Sequence, residues 1–357
     1  MSIQRLKNPL YQEDLDRVLS IGIPWDELSN KKILITGSTG LIGTFLVDVL
    51  VRRKLIYEEG INIAVLSRSI EGVAKRFLPD YEKCLNIYIH NLIEPLNYIE
   101  EIDYIIHAAG IADPTSFSID PVGTVKANLI GTLNILEYAR SVKAKRVLFI
   151  STGEVYGDAL SENKYFQEEE MGYINSNDTR SCYPESKRLA ETLCASFKKQ
   201  FGLDYVIARL CHIYGPTMKE NDSRVISQFI RSVLTGDDII MKSQGTQKRS
   251  LCYVADAVSG LLTILVLGKT GEVYNVSIDN VAVSIKDIAD IISKKFGIKI
   301  RNERPTEIEE AGFSKRKSAL LSSSKLKKLG WQPKFPFDES IIKTIKILLD
   351  LKNSENQ

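Results

Sequence analysis

Residues 33–43 read Ile33-Leu34-Ile35-Thr36-Gly37-Ser38-Thr39-Gly40-Leu41-Ile42-Gly43. A short apolar run ends in three glycines spaced three apart, and residues 41–53 carry the apolar periodicity of a helix. A strand, a tight turn and a helix in that order place a pyrophosphate on a helix N-terminus. There, unpaired backbone N–H groups and the helix dipole both favour negative charge. Gly37 permits the turn, Gly40 lets the backbone approach the phosphates, and Gly43 lets the helix lie close on the strand. The same spacing also suits a glycine-rich turn without a ligand, so the rest of the chain has to supply the chemistry.

Working outward, strand-like runs at 32–36, 61–66, 86–89, 104–107, 146–151 and 205–209 alternate with helical patterns, the longest at 121–142 and 183–201. Such alternation predicts an α/β fold: a Rossmann-type doubly wound parallel sheet covered on both faces. The expected organisation is a dinucleotide-binding domain over 31–213 and about 250–278. A smaller interleaved C-terminal substrate lobe takes 214–249 and 279–350. Residues 1–30 form an N-terminal extension, with a short helix at 13–20 and Trp25 pinning the segment to the domain. Further helices are expected at 224–234 and 284–296, the second opened by a Ser284–Asp287 capping box. A strand is expected at 273–278. The basic run 315–328 reads as a solvated face.

Bulk properties narrow the function. The 357 residues carry 47 basic and 45 acidic side chains, a net charge of +2. That balance supports neither nucleic-acid nor membrane-surface binding. Five scattered cysteines contain no C-x-x-C pair, which suits a reducing cytoplasm and leaves no zinc site, so no metal is expected. No apolar run has membrane-spanning length, and residues 1–8 lack a signal-peptide core.

Tyr183 and Lys187 stand four apart in Ser181-Cys182-Tyr183-Pro184-Glu185-Ser186-Lys187-Arg188. On a helix they share a face, and Pro184 fits the first turn. An ammonium beside a phenol favours the phenolate, a base able to take a proton from an alcohol. Taken alone, the spacing also suits a surface Tyr and Lys. Three further features accompany it. Thr152 and Glu154 lie in Phe149-Ile150-Ser151-Thr152-Gly153-Glu154-Val155-Tyr156-Gly157. His107-Ala108-Ala109-Gly110 offers small residues beside a cofactor, and Asn128 can fix a helix or a water.

Together these stretches resemble the extended short-chain dehydrogenase/reductase family, in its nucleotide-sugar epimerase/dehydratase/decarboxylase branch. The resemblance runs from about residue 31 to about 337. It rests on T-G-x-x-G-x-x-G at 36–43, H-A-A at 107–109, N-x-x-G-T-x-N at 128–134, S-T-x-E-V-Y-G at 151–157 and Y-x-x-x-K at 183–187. Y-G-P at 214–216, Arg249 before S-L-C-Y-V-A-D at 250–256 and K-L-K-K-L-G-W at 325–331 continue it. It implies a tightly held NAD, with NADP as the alternative, and a nucleoside-diphosphate sugar as substrate, UDP-linked by preference. Gly37, Thr39, Gly40, Leu41, Ile42, Gly43, Ser67, Arg68, Asn91, Leu92, His107, Ala108, Ala109, Asn128, Tyr183 and Lys187 would hold the cofactor. Tyr183 would be the base, Lys187 its electrostatic partner, and Thr152 the hydroxyl partner. A homodimer through the helices at 121–142 and 183–201 is implied as well.

The resemblance implies a shared first step, oxidation at sugar C4. The resemblance favours the subgroup that decarboxylates UDP-glucuronate, because Glu154 is kept and residues 180–194 match best there. A C4 or C5 epimerase is the alternative. A 4,6-dehydratase fits less well, since Gly153 stands where those enzymes keep an aspartate. A binding-only protein is disfavoured by the intact Thr152, Tyr183 and Lys187. Arg224, His212, Arg249 and Arg316 join Thr152 and Glu154 as candidate substrate contacts; an arginine can hold a carboxylate or phosphate through two bonds. Three positions depart from the family pattern. No acidic residue ends the second strand, which closes Leu66-Ser67-Arg68; Asn91 stands where Asp is usual; and His212 stands where Asn is common.

Overall fold

Ile33, Leu34 and Ile35 of β1 (Lys32–Thr36) are all buried, because the sheet they occupy is covered on both faces. The computed structural model describes residues 3–97, 101–158, 165–279, 281–314, 316 and 318–355. Its main sheet contains β1, β2 (Asn62–Ser67), β3 (Leu85–Ile89), β4 (Tyr104–His107), β5 (Arg146–Thr152), β6 (Tyr205–Leu210) and β7 (Val273–Val276). The strands pair in the order β7-β6-β5-β4-β1-β2-β3, every neighbour parallel. The order reverses at β1 and β4, where Thr36 pairs with His107. That reversal opens the crevice in which doubly wound sheets bind ligands.

The helices are α1 (Pro9–Leu19), α2 (Leu41–Tyr57), α3 (Ile70–Phe77), α4 (Pro114–Ile119), α5 (Pro121–Val125), α6 (Gly131–Ser141), α7 (Cys182–Phe201), α8 (Val225–Thr235), α9 (Val254–Leu267), α10 (Ile285–Phe296), α11 (Glu307–Gly312), α12 (Ser324–Lys327) and α13 (Phe337–Glu355). Helix α2 outruns its expected end at residue 53. Its last turn is held by the Arg53 guanidinium, which lies 4.8 Å from the Trp25 ring centroid and 3.8 Å from that of Tyr57. The expected helix at 121–142 is interrupted by a π turn, Lys126–Ile130, centred on Asn128. Such bulges cluster at functional sites. The Ser284–Asp287 capping box on α10 is present as expected.

The N-terminal extension is built around a buried charge. Asn8 caps α1, which begins four residues before its expected start. Arg5 makes two bonds of 2.7 and 2.8 Å to Asp48 in the middle of α2, both side chains fully buried, and Tyr11 donates to the same carboxylate. Removing one member of a buried pair leaves the other charge uncompensated. Arg5→Met should therefore cost about 3–5 kcal/mol in urea unfolding. The double variant with Asp48→Leu should recover part of that loss.

A second layer of short strands builds the rest. Val283–Ser284, Lys248–Arg249, Ser318–Leu321 and Tyr165–Phe166 form a four-stranded sheet, and His212–Tyr214 pairs with Leu251–Tyr253. The expectation of a solvated face over 315–328 is overturned. Ala319, Leu320 and Leu321 are a buried strand, and Arg316 enters a cleft. Lys325 pairs with Glu272 at 2.7 Å and Lys327 with Asp279 at 2.8 Å. The charges on either side of this run conceal an apolar core strand. Residues 315 and 317 lie outside the described residues. Among the described residues no helix is long and apolar enough to cross a membrane.

Candidate active site

The glycine turn is shaped for close approach. Gly37 has φ +68°, and a Cβ there would lie 2.7 Å from the Ala108 carbonyl and the Ala109 nitrogen. A Cβ on Gly43 would lie 2.2 Å from the Gly37 oxygen. Gly40 opens α2 without a side-chain cap, so the first-turn N–H groups face the crevice chemistry uncapped by the chain's own side chains. Among the described residues, Ser38 Oγ and Asn128 Oδ1 are buried with no hydrogen-bond partner. A glycine cradle, an uncapped helix and two orphaned oxygens fit a dinucleotide.

The other expected cofactor residues surround this cradle. Ile42 lines the cavity that also holds Tyr183 and Lys187, whereas the Leu41 side chain packs into the core and its carbonyl accepts from Thr217. Thr39 faces α3 across Gly72. Ser67 and the exposed Arg68 close β2, with Asn91 exposed and Leu92 buried after β3. His107 sits behind the cradle, its ring nitrogens 2.7 Å from Thr36 Oγ1 and 3.1 Å from Thr132 Oγ1. Burial, then Lys187, lowers it to about 3, so it is a neutral strut supporting Ala108 and Ala109.

Helix α7 carries the expected catalytic pair. Its buried face runs through Tyr183, Lys187, Ala190, Cys194 and Phe197, and Gly202 at φ +72° ends it. Tyr183 lies in the first turn, its ring stacked on Phe117 at 4.7 Å. The Lys187 ammonium donates to the Ile150 carbonyl at 3.0 Å. A Cβ on Gly110 would lie 3.4 Å from that ammonium and 2.4 Å from Asn128 Oδ1. Lys187 therefore converges with Asn128 on one point of the crevice. The expected phenolate is not what the protein alone favours. Burial, then Glu154, pushes the Tyr183 phenol up to about 12, against opposing pulls from a Thr152 hydrogen bond, Arg180 and Arg224. Burial lowers Lys187 to about 8, with Glu191 opposing.

Thr152 ends β5 and accepts from the Glu154 N–H at 3.2 Å, which starts a short 3₁₀ turn. Tyr183, Lys187, Thr152, Glu154, His212, Arg224 and Arg316 line one cavity of about 210 Å³. A second cavity of about 200 Å³ adjoins it, sharing Glu154, His212 and Arg224 and adding Arg180 and Arg249. The sequence-predicted substrate contacts thus come together across two joined cavities. Arg180 bonds Glu154 at 2.9 Å, and Arg316 stands 3.8 Å away. Burial pushes the Glu154 carboxyl up, but Arg180 and Arg316 outweigh it and hold it below the usual range. Arg224 is neutralised by Asp222. Burial, then Arg249, lowers His212 to about 3, so it enters the site neutral. Burial, then Arg316, lowers Arg249 to about 10; burial also lowers Arg316. Among the described residues, three guanidiniums thus crowd one glutamate, with Asp158 adding an attraction on Arg316. This unbalanced positive charge suits an anionic ligand.

Sequence reasoning missed Arg180 and Phe117. Arg180 lies three residues before Tyr183, at the start of the 180–194 stretch. Phe117 carried no signal, since α4 meets α7 only in the fold. It also missed the support behind the pair: Ser151 donates to Glu191 at 2.5 Å, and Arg209 makes three bonds to Glu191 through Nε and Nη2.

Residues 33–277 match the family described as NAD dependent epimerase/dehydratase family. UDP-glucuronic acid decarboxylase 6 of Arabidopsis thaliana is 35% identical over 320 residues, covering 88% of this chain and 87% of that protein. UDP-glucuronic acid decarboxylase 1 of Xenopus tropicalis is 34% identical over 323 residues, covering 89% and 72%. Among solved structures, UDP-glucuronic acid 4-epimerase of Bacillus cereus with UDP-glucuronic acid and NAD superposes with TM-score 0.74 at 22% identity, covering 90% of this chain and 99% of that one. The dTDP-glucose 4,6-dehydratase DesIV of Streptomyces venezuelae gives TM-score 0.77 at 21% identity, covering 90% and 98%. The structural likenesses establish the doubly wound fold.

Proposed function

The chain belongs to the NAD dependent epimerase/dehydratase family, enzymes of the extended short-chain dehydrogenase/reductase type, and on that premise we propose that it decarboxylates UDP-glucuronate through a 4-keto intermediate. The observation that carries the reading is the crowding of Arg180, Arg249 and Arg316 around Glu154, beside Tyr183. A sugar bearing both a carboxylate and a diphosphate answers that charge.

NAD, when bound, supplies the hydride acceptor and later the donor. Gly37, Gly40 and Gly43 would hold its pyrophosphate, with Lys187 and Asn128 at the crevice point beside Gly110. With the positive charge of bound NAD offsetting burial and Glu154, Tyr183 would be ionised and would take the proton of the C4 hydroxyl, Thr152 sharing that hydroxyl's hydrogen bonding. The resulting C4 ketone makes the C6 carboxylate β to a carbonyl, so the C5–C6 electron pair can pass into an enolate as carbon dioxide leaves. Glu154 and Arg316, which line the same cavity, would face that change of charge, and a proton from water would return to C5. Tyr183 then protonates the C4 oxygen, and net redox is zero. After incubation with UDP-glucuronate, anion-exchange separation of nucleotide sugars should show a UDP-pentose. A UDP-hexuronate epimer instead would give the chain to the epimerases.

The same reading includes a homodimer. Val122 is 64% and Leu189 48% exposed, with Ile130 and Leu133 also open, on helices packed side by side. An apolar surface of this kind marks an interface. In analytical ultracentrifugation the wild type should sediment as a dimer and Leu133→Arg with Leu189→Arg as a monomer. The five free cysteines accord with a cytoplasmic setting.

A further inference from the structure

We propose that Arg180 is the positioning residue of this site, one guanidinium that fixes the Glu154 carboxylate, the end of α11 and the Phe117–Tyr183 ring pair at once. The inference rests on the proposed function for its kinetic arm only. Arg180 lies in the 3₁₀ turn Thr179–Ser181 that precedes α7, its N–H donating to the capping Asp178 at 2.9 Å. Its side chain is 12% exposed. Nη2 donates to Glu154 Oε1 at 2.9 Å and Nε donates to the Gly312 carbonyl at 3.0 Å. The guanidinium carbon stands 4.6 Å from the Phe117 ring centroid, and Phe117 stacks on Tyr183 at 4.7 Å with 15° between the planes.

A planar fork makes this arrangement possible. Two in-plane donors reach a carboxylate and a carbonyl while the face covers an aromatic ring, and an ammonium cannot do all three. The carbonyl anchor is itself fixed. A Cβ on Gly312 would lie 2.7 Å from the Pro114 oxygen and 3.1 Å from Ser118 Oγ, so α11 lies directly on α4, the helix that carries Phe117. Arg180 thereby joins the wall of the second cavity to the acid and the phenol of the first. Glu154 is faced by Arg180 from the 3₁₀ turn, Arg316 ahead of the strand Ser318–Leu321, His212, Arg249 and, on α7, Tyr183. Of the guanidiniums facing it, Arg180 makes the hydrogen bond, whereas Arg316 stands farther off and bonds the Gly153 carbonyl at 3.3 Å.

The test compares pH profiles of kcat and KM, with whichever UDP-sugar the wild type turns over, for Arg180→Lys, Arg180→Met and Gly312→Ala. Without the Arg180 charge, burial raises the Glu154 carboxyl, so the acid limb should move to higher pH in Arg180→Met. The same variant should lose about tenfold or more in kcat, with KM rising less. Gly312→Ala displaces the anchor without touching a charge and should move the limb in the same direction. Arg180→Lys keeps charge without the fork and should recover the limb but not kcat. Hydrogen exchange over 307–314 should quicken in Arg180→Met, a readout independent of turnover. An unmoved acid limb in both Arg180→Met and Gly312→Ala would overturn the proposal, however far turnover falls. If Arg180→Met does not fold, the Lys and Gly312 variants decide by the same criteria. A wild type that turns over no UDP-sugar sinks the proposed function. In that case unchanged exchange over 307–314 in Arg180→Met overturns the positioning role separately.

Discussion

Tyr183→Phe should lower turnover by about 10²- to 10⁴-fold, the range general acid–base catalysis supplies. The substitution removes one hydroxyl and keeps the ring that stacks on Phe117. The Thr152 hydroxyl it would leave still accepts from the Glu154 N–H, so no buried group is stranded. The melting temperature and the bound NAD should therefore match the wild type. Initial rates with UDP-glucuronate, read beside a thermal melt, check both halves. Turnover within threefold of wild type would remove the phenol from proton transfer.

The second large effect belongs to the cradle. Gly37→Val asks a β-branched residue to adopt φ +68° and to place a Cβ 2.7 Å from the backbone at Ala108 and Ala109. Those atoms belong to the chain just beyond β4, in the main sheet, and cannot retreat as a flexible side chain would. The turn must deform, and the phosphate-facing N–H groups of α2 move with it. Purified Gly37→Val should retain less than a tenth of the wild-type NAD, measured by mass spectrometry of the denatured supernatant. Wild-type cofactor content in that variant would show that the turn does not seat the pyrophosphate.

These residues show why the sequence was informative in some places and silent in others. The central strands were legible because burial on both faces leaves near-continuous apolar runs, such as 147–150 in β5. The glycine turn and the Tyr183–Lys187 spacing were legible because backbone geometry and helical period leave local patterns. Arg316 was harder. It lies in a run whose charges suggested solvent, and only pairing of Ser318–Leu321 with Lys248–Arg249 and Tyr165–Phe166 brings it to Glu154. Phe117 and Arg180 depend on α4, α7 and α11 meeting in space, which no period encodes. The phenol's upward shift was invisible for the same reason, since it follows from burial and from Glu154 across the pocket.

UDP-glucuronate labelled at the carboxylate carbon is incubated with the purified protein and NAD, and the label is followed into gas and nucleotide sugar. Labelled carbon dioxide should be released one for one with a UDP-pentose, without accumulation of NADH. Label retained in a UDP-hexuronate, with no gas released, would contradict decarboxylation.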